Sequence, residues 1–304
     1  MNIQVFLHAT RPHTYPLAMT GVLVANALAF AKLGMFDGKQ WVIFALTTHV
    51  AVGLQILANL ANDYGDGVKG TDAHRTDRQT AQGNLVQNEL KTVIIVWAGF
   101  IFACGVGLLW LSFANWLEFF VFLAFGILSI LGAMAYTMGK RPYGYFAKGE
   151  IAVFVFFGLL NVLGSLYLQT QDLQVADMIV AVAIGLLCVC VLMINNMRDI
   201  DDDVKTDKRT LAVVLGKEKI SQLYWLLLLT AFWLLLVFAV LQHNVYLLSM
   251  VLLIYPIGKH LAVVYQYRDG KISPHQLAVQ LKTIVGLAFA SGLLLSIGIC
   301  LNYK

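Results

Sequence analysis

Nine nearly uncharged stretches, each about 20 residues long, divide this chain from end to end, and a stretch of that length is what a helix needs to cross a bilayer's hydrocarbon core. They fall at 14–33, 41–62, 92–111, 119–138, 150–169, 176–197, 220–240, 245–267 and 281–301. The fifth and eighth have the least sharp ends, so eight spans is the alternative count. Composition agrees: 59% of the residues are apolar and 12% are charged, about half the charged share of a soluble domain. Such a chain has too little polar surface to cover a soluble core. The expectation is an all-α membrane protein, a single bundle of about nine transmembrane helices around a central cavity. The first run is longer than the roughly 7–15 apolar residues of a cleavable leader, and is expected to stay as an anchor.

The basic residues divide unequally between the two sides. With nine spans, the segment before the first and those after each even span share one side. That side carries 18 of the 21 Lys and Arg residues, leaving Lys32, Lys39 and Lys304 on the other. The positive-inside rule then puts the N-terminus and the even-to-odd loops in the cytoplasm. The net charge of +4 reflects this orientation and calls for no nucleic-acid partner. The longest polar segments, 63–91 and 198–219, lie on the same side, whereas opposite-side loops such as 113–116 and 241–244 are short. No Gly/Ser linker interrupts the pattern, so residues 1–304 read as one polytopic domain. Cys104, Cys188, Cys190 and Cys300 all lie inside apolar runs, where a structural thiol is the expectation. His49, His243, His260 and His275 show no ligand spacing and read as structural or interfacial.

Two acidic segments end the second and sixth spans. The first runs Asn62-Asp63-Tyr64-Gly65-Asp66-Gly67-Val68-Lys69-Gly70-Thr71-Asp72, and the second runs from Asn195-Asn196-Met197-Arg198-Asp199 through Asp201-Asp202-Asp203 to Asp207-Lys208-Arg209-Thr210. With Asp77 they hold nine of the 17 carboxylates, a high concentration for a chain so poor in charge. Asp63 and Asp66 are three apart and Asp199 and Asp203 four apart, so each pair shares a helix face. Like charges at that spacing repel, and a hard divalent cation removes the penalty. Mg²⁺ favours one or two carboxylates completed by water and substrate phosphate oxygens. The interleaved cations Lys69, Arg198 and Lys208 turn a bare cation site into one suited to a metal-bridged polyphosphate. For Asp72, Asp77, Asp201, Asp202 and Asp207, the alternative is a solvated loop that keeps a helix end in water. Helical hairpins arranged in a ring would bring both segments to one cytoplasmic mouth.

These segments, with Arg11-Pro12-His13-Thr14-Tyr15-Pro16-Leu17-Ala18 and Tyr136-Thr137-Met138-Gly139-Lys140-Arg141-Pro142-Tyr143-Gly144-Tyr145 continuing to Gly149-Glu150, resemble the intramembrane aromatic prenyltransferase superfamily. Within it they are most similar to the branch acting on 1,4-dihydroxy-2-naphthoate. The resemblance implies transfer of a polyprenyl group from polyprenyl diphosphate to 1,4-dihydroxy-2-naphthoate in a plasma (inner) membrane, with loss of CO₂ and diphosphate to give demethylmenaquinone. By position, Asp63, Asp66, Asp199 and Asp203 match the Mg²⁺-diphosphate aspartates. Asn62 and Lys69 match the polar residues of the first motif and Arg198 that of the second, with Asn195 and Lys208 beside them as substrate-binding candidates. The chain departs from the family's pattern at Asp207, where Gly is usual, and at 79–83, where a basic Gly-Pro-containing stretch is usual.

In that chemistry the leaving diphosphate needs its charge neutralised, and the allylic cation must be shielded from water. The four aspartates with Mg²⁺ serve the first need, joined by Lys69, Arg198 and either Lys140 or Arg141. Tyr136 is either a cation-stabilising aromatic or an ordinary interfacial one. Arg11 either pairs with the acceptor carboxylate or anchors the cytoplasmic end of its span; Lys140 and Arg141 carry the same two readings. An apolar groove open to lipid suits the long prenyl tail. A transporter would place ionisable residues near the bilayer midplane, and here none of Asp, Glu, Lys or Arg lies mid-span. An enzyme acting on 4-hydroxybenzoate, homogentisate, haem or a chlorophyll precursor is the other alternative.

Overall fold

A computed structural model describes residues 3–70 and 87–302; Asp72, Asp77 and the 79–83 stretch lie outside the described residues. Among the described residues nine helices are long and apolar enough to cross a membrane. They are α1 (Gln4–Leu33), α2 (Gly38–Lys69), α3 (Gln87–Ser112), α4 (Trp116–Ala135), α5 (Gly149–Thr170), α6 (Val175–Arg198), α7 (Leu211–Leu241), α8 (Val245–Arg268) and α9 (Pro274–Asn302). The chain is a multi-pass, all-helical membrane protein, and the only β-type pairing among the described residues is an isolated bridge between Phe146 and Arg209.

Local chemistry sets the ends. Asp37 caps α2, its carboxylate accepting from the amides of Lys39 at 2.7 Å and Gln40 at 3.1 Å, while Gln40 returns a bond to the Asp37 amide, the reciprocal arrangement of a capping box. Asn115 caps α4 through the Leu117 amide at 2.9 Å. Several helices outrun their apolar stretches. α2 continues two turns past residue 62 to Lys69, because polar residues lengthen a helix that has left the hydrocarbon. α7 starts at Leu211 but carries a kink at Gly216, with φ of 73°. Glycine takes that left-handed conformation without steric cost, and the apolar run beginning at 220 is the part after the kink.

Connections alternate in length. On one side α1 to α2, α3 to α4, α5 to α6 and α7 to α8 are joined by only a few residues. Lys32 at the end of α1 ties that side by reaching Asp177 at 2.7 Å and Asp172 at 3.0 Å. Longer connections follow α2, α4 and α6.

The helix α6 is the axis of the packing. It contacts α5, α7 and α9, and α9 and α5 in turn pack on α1. Its buried side chains, from Val180 to Met197, belong to the main core with residues of α1, α7, α8 and α9. By contrast α4 buries few of its residues and turns one face, from Phe122 to Ala133, to the central cavity. In lipid, such packing rests on van der Waals fit and interhelical hydrogen bonds, one example being Gln169 donating to Asn26 at 2.7 Å. Half of α5 is a π-helix, Phe154–Gly164, and π segments concentrate at functional sites. Its Asn161 donates to the Ala18 carbonyl on α1 at 2.9 Å and lines the central cavity. All four cysteines are free thiols. His260 is buried and bonded on both ring nitrogens, as a structural histidine should be.

Candidate active site

The first acidic motif occupies the last two turns of α2, where Asp63 and Asp66 are each 1% exposed. Gly65 between them allows this depth of burial. A Cβ there would sit 2.5 Å from the Thr137 carbonyl oxygen, so only glycine lets the turn after α4 press against α2. Thr137 seals the contact by donating to the Ala61 carbonyl at 2.8 Å. The same turn delivers Tyr136 and Tyr145 to the site.

The second motif sits on a broken helix. α6 stops at Arg198, Asp199 has φ −93° and ψ 5°, and a short helix, Ile200–Lys205, follows. Asp199 still accepts the Asp203 amide at 2.9 Å through its own carbonyl, so the two residues remain one turn apart. Asp207 then adopts φ 54° and reverses the chain, which returns Lys208 over the motif; the Lys208 amide donates to the Asp203 carbonyl at 2.9 Å.

Lys208 joins the two motifs. Its ammonium lies 3.4 Å from Asp66 and 3.7 Å from Asp203. Asp63 is bonded by Arg11 from α1. Arg198 grips Asp199 with Nε and Nη2, both at 2.6 Å, and its Nη2 also donates to Asn195 at 2.9 Å. Tyr145 donates its phenol to Asp66 at 2.7 Å. The face of Tyr145 carries two cations, Lys69 at 4.1 Å and Lys208 at 5.2 Å from the ring centroid. Thr210 donates to Asp203 at 3.2 Å. The Asp203 carboxyl is pushed up to about 6, burial being the largest cause and the Asp199 and Asp66 charges adding to it, against the pull of Lys208 and the Thr210 hydrogen bond.

Beneath the motifs lies a cavity of about 600 Å³ lined by residues of α1, α2, α3, α4, α5, α6 and α9. Its polar lining includes Arg11, His13, Asn62, Tyr136, Asn195, Arg198 and Lys282; much of the rest is Leu, Ile, Val and Phe, including Leu108, Phe122, Phe156 and Leu160. Phe102 of α3 and Phe125 of α4 line it and are each 40% exposed. Asn62 Oδ1 is buried and accepts no hydrogen bond among the described residues. Tyr136 meets Tyr143 edge-on, with centroids 5.4 Å apart. Burial first, then the Glu150 and Asp66 charges, push the Tyr136 phenol up, so it stays neutral. Lys140 and Arg141 stand exposed on the turn after α4, outside the cavity lining.

The structure therefore brings together Asp63, Asp66, Asp199, Asp203, Arg11, Arg198, Asn195, Lys69 and Lys208, and sets Asn62 and Tyr136 in the cavity wall. Tyr145, Thr210 and Lys282 were not singled out by sequence. Tyr145 and Thr210 stand there only inside quoted stretches, without a role, and Lys282 as one of the cytoplasmic-side cations. Among the described residues no three His, Cys, Asp or Glu side chains form an all-protein metal cage. What the motifs offer instead is hard oxygen donors in pairs, with a buried ammonium bridging Asp66 and Asp203. That donor set fits Mg²⁺, which binds few carboxylates and completes its shell with water and phosphate.

A helical membrane bundle with paired acidic motifs over a central cavity is the architecture of a polyprenyl-transfer enzyme, and the chain belongs to the UbiA prenyltransferase family, whose sequence profile matches residues 18–297. It is 36% identical to the 1,4-dihydroxy-2-naphthoate octaprenyltransferase of Haemophilus influenzae (strain ATCC 51907 / DSM 11121 / KW20 / Rd) over 305 residues, covering 97% of each chain. It is 40% identical to the enzyme of the same name from Escherichia coli (strain K12) over 220 residues, 70% of this chain and 69% of that one. Among solved structures, a UbiA homolog from Archaeoglobus fulgidus bound to DMAPP and Mg²⁺ shares the fold, with a TM-score of 0.59 at 15% identity over 96% of this chain and 99% of that one.

Proposed function

We propose that this prenyltransferase moves a polyprenyl group from polyprenyl diphosphate to 1,4-dihydroxy-2-naphthoate, giving demethylmenaquinone in its quinol form. The observation that carries this reading is Lys208, whose ammonium bridges aspartates of both motifs at the mouth of a largely apolar cavity. The acceptor is supported by the names of the two bacterial relatives, both octaprenyltransferases acting on 1,4-dihydroxy-2-naphthoate, which also supports an octaprenyl donor. A Mg²⁺ requirement is supported by the donor chemistry and by the Mg²⁺ in the A. fulgidus homolog.

Asp63, Asp66, Asp199 and Asp203 would hold Mg²⁺, which supplies charge neutralisation for the leaving diphosphate. Arg198, Lys208 and Lys69 take diphosphate oxygens, Arg198 by its planar fork and the lysines as point charges. Asn62 and Asn195 orient the same group with their amides. The allylic C–O bond breaks with its electron pair leaving on diphosphate. Tyr136, neutral and in the cavity wall, turns its ring to the cation in a space that its apolar neighbours keep dry. The carboxylate-bearing ring carbon bonds to the prenyl carbon, and its own C–CO₂ bond then breaks, the electron pair returning to the ring to restore aromaticity as CO₂ leaves. The tail lies along the apolar lining of the cavity, where Phe102 and Phe125 stand. The distribution of basic residues supports a cytoplasmic mouth in the plasma membrane.

Membranes holding this protein, given polyprenyl diphosphate with 1,4-dihydroxy-2-naphthoate and 4-hydroxybenzoate side by side, test the reading by mass spectrometry of the products. Prenylated naphthoquinol, lost on adding a chelator, is expected. A prenylated hydroxybenzoate instead would move the acceptor assignment.

A further inference from the structure

The charged side chains lining the cavity are all basic. Arg11, Arg198 and the exposed Lys282 line it with His8 and His13, and no Asp or Glu of the described residues lines it. Arg11, Lys282 and Arg198 all act electrostatically on His13, so these cations gather at one end. Two of them are engaged, Arg11 by Asp63 and Arg198 by Asp199. Lys282 makes no ion pair with any carboxylate among the described residues.

Lys282 also stands on a different element from the diphosphate motifs. It lies on α9, not α2 or α6, and its position is built. Gln280, two residues earlier, accepts from His260 Nδ1 at 2.6 Å, and His260 Nε2 meets the Tyr224 hydroxyl at 2.5 Å. The Gln280 oxygen only accepts, so Nδ1 carries the proton and Nε2 receives the phenol's. This chain across α7, α8 and α9 ties down the first turns of α9, which carry Lys282 to the cavity lining.

We propose that Lys282 binds the carboxylate of the aromatic acceptor and selects carboxylated rings over uncharged ones. The inference rests on the acceptor reading above. An aromatic acid anchored there lies in the same cavity as Tyr136, Asn195 and Arg198, while Arg11, already bonded to Asp63, serves the first acidic motif. An anion also relieves the mutual repulsion of the clustered cations.

The test compares the full-length protein with Lys282→Met in lipid nanodiscs, using 1-hydroxy-2-naphthoate and 1-naphthol as competing inhibitors of naphthoate prenylation. In the variant the acceptor KM should rise about tenfold and inhibition by 1-hydroxy-2-naphthoate weaken about tenfold, as for loss of one charged hydrogen bond. Inhibition by 1-naphthol and the donor KM should stay within about twofold, and Lys282→Arg should restore most of the acceptor affinity. Lys282→Gln is the second neutral variant, and melting curves check that each folds. An unchanged inhibitor ratio in a folded, active variant overturns the role of Lys282 and leaves the acceptor reading standing. A wild-type protein that prenylates no naphthoate overturns both.

Discussion

The two acidic motifs reach one mouth by opposite means. Asp63 and Asp66 ride the regular end of a long helix and are held by partners from far along the chain, Arg11 and Tyr145. Asp199 and Asp203 sit where a helix breaks and are held largely by neighbours, Arg198 beside the one and Thr210 seven residues from the other. The first is held on a regular backbone packed against the turn after α4; the second keeps its geometry through local turns. Lys208 couples the regular half to the broken one.

The largest effect expected is from breaking both halves. Asp63→Asn and Asp199→Asn should each lower kcat/KM by about 10²–10³, the scale of losing a preorganised electrostatic contact. The double variant should be barely worse than either single, because groups that act as one unit are not additive. Effects that multiply in full would show two independent sites and break the coupling. Below these comes Tyr145→Phe, which removes the 2.7 Å bond to buried Asp66 but keeps the ring under Lys69. We expect a loss of about tenfold in kcat/KM, against about threefold for Thr210→Val, since a hydrogen bond to a charged group is worth roughly 1.5–3 kcal/mol at best and the 3.2 Å Thr210 contact is longer. The reverse order would mean the second motif is the stiffer one.

Proton competition sharpens the same contrast. The Asp203 carboxyl is raised to about 6, whereas an unfolded Asp titrates near roughly 3.9. Between those values the folded chain holds a proton that the unfolded one releases, so Asp203's contribution to stability is full at the acid end and is lost as pH rises to about 6. Cation binding runs the other way, because the ligand must be ionised. The Mg²⁺ concentration for half-maximal activity should fall about tenfold per pH unit on approaching pH 6 from below, then level off. A half-saturating Mg²⁺ that is flat from about pH 5 to 7 would remove Asp203 from the site.

Much of this was legible because lipid imposes a simple code. All nine apolar runs are spans, and the two acidic segments lie together, with Lys208 reaching Asp66 and Asp203. The rest escaped for physical reasons. The extension of α2 to Lys69 is written in polar residues that carry no hydropathy signal. Tyr145 reaches Asp66 across 79 residues of chain, a contact that no periodicity encodes. Lys282 is told apart from other cytoplasmic-side cations only by where α9 packs. Gly65 was visible in the motif, but the reason for it lies on the turn after α4, where Thr137 leaves no room for a Cβ.

Asp207 is a case where the structure explains a departure seen in sequence. The family usually has Gly there, and the backbone says why: φ is 54°, a left-handed conformation that Asp tolerates and most residues do not. The turn matters because it sends Lys208 back between Asp203 and Asp66. Asp207→Gly removes the steric cost but adds unfolded-chain entropy, two terms of about 0.5–1 kcal/mol that oppose each other. The melting temperature and kcat/KM should therefore barely move. Asp207→Val cannot adopt the turn cheaply and should cost about 1–2 kcal/mol. Its activity should fall by more than its stability does, because Lys208 loses its bridging position while the first motif stays intact. If the Val variant instead melts earlier but keeps full kcat/KM, the Lys208 bridge does not depend on this turn.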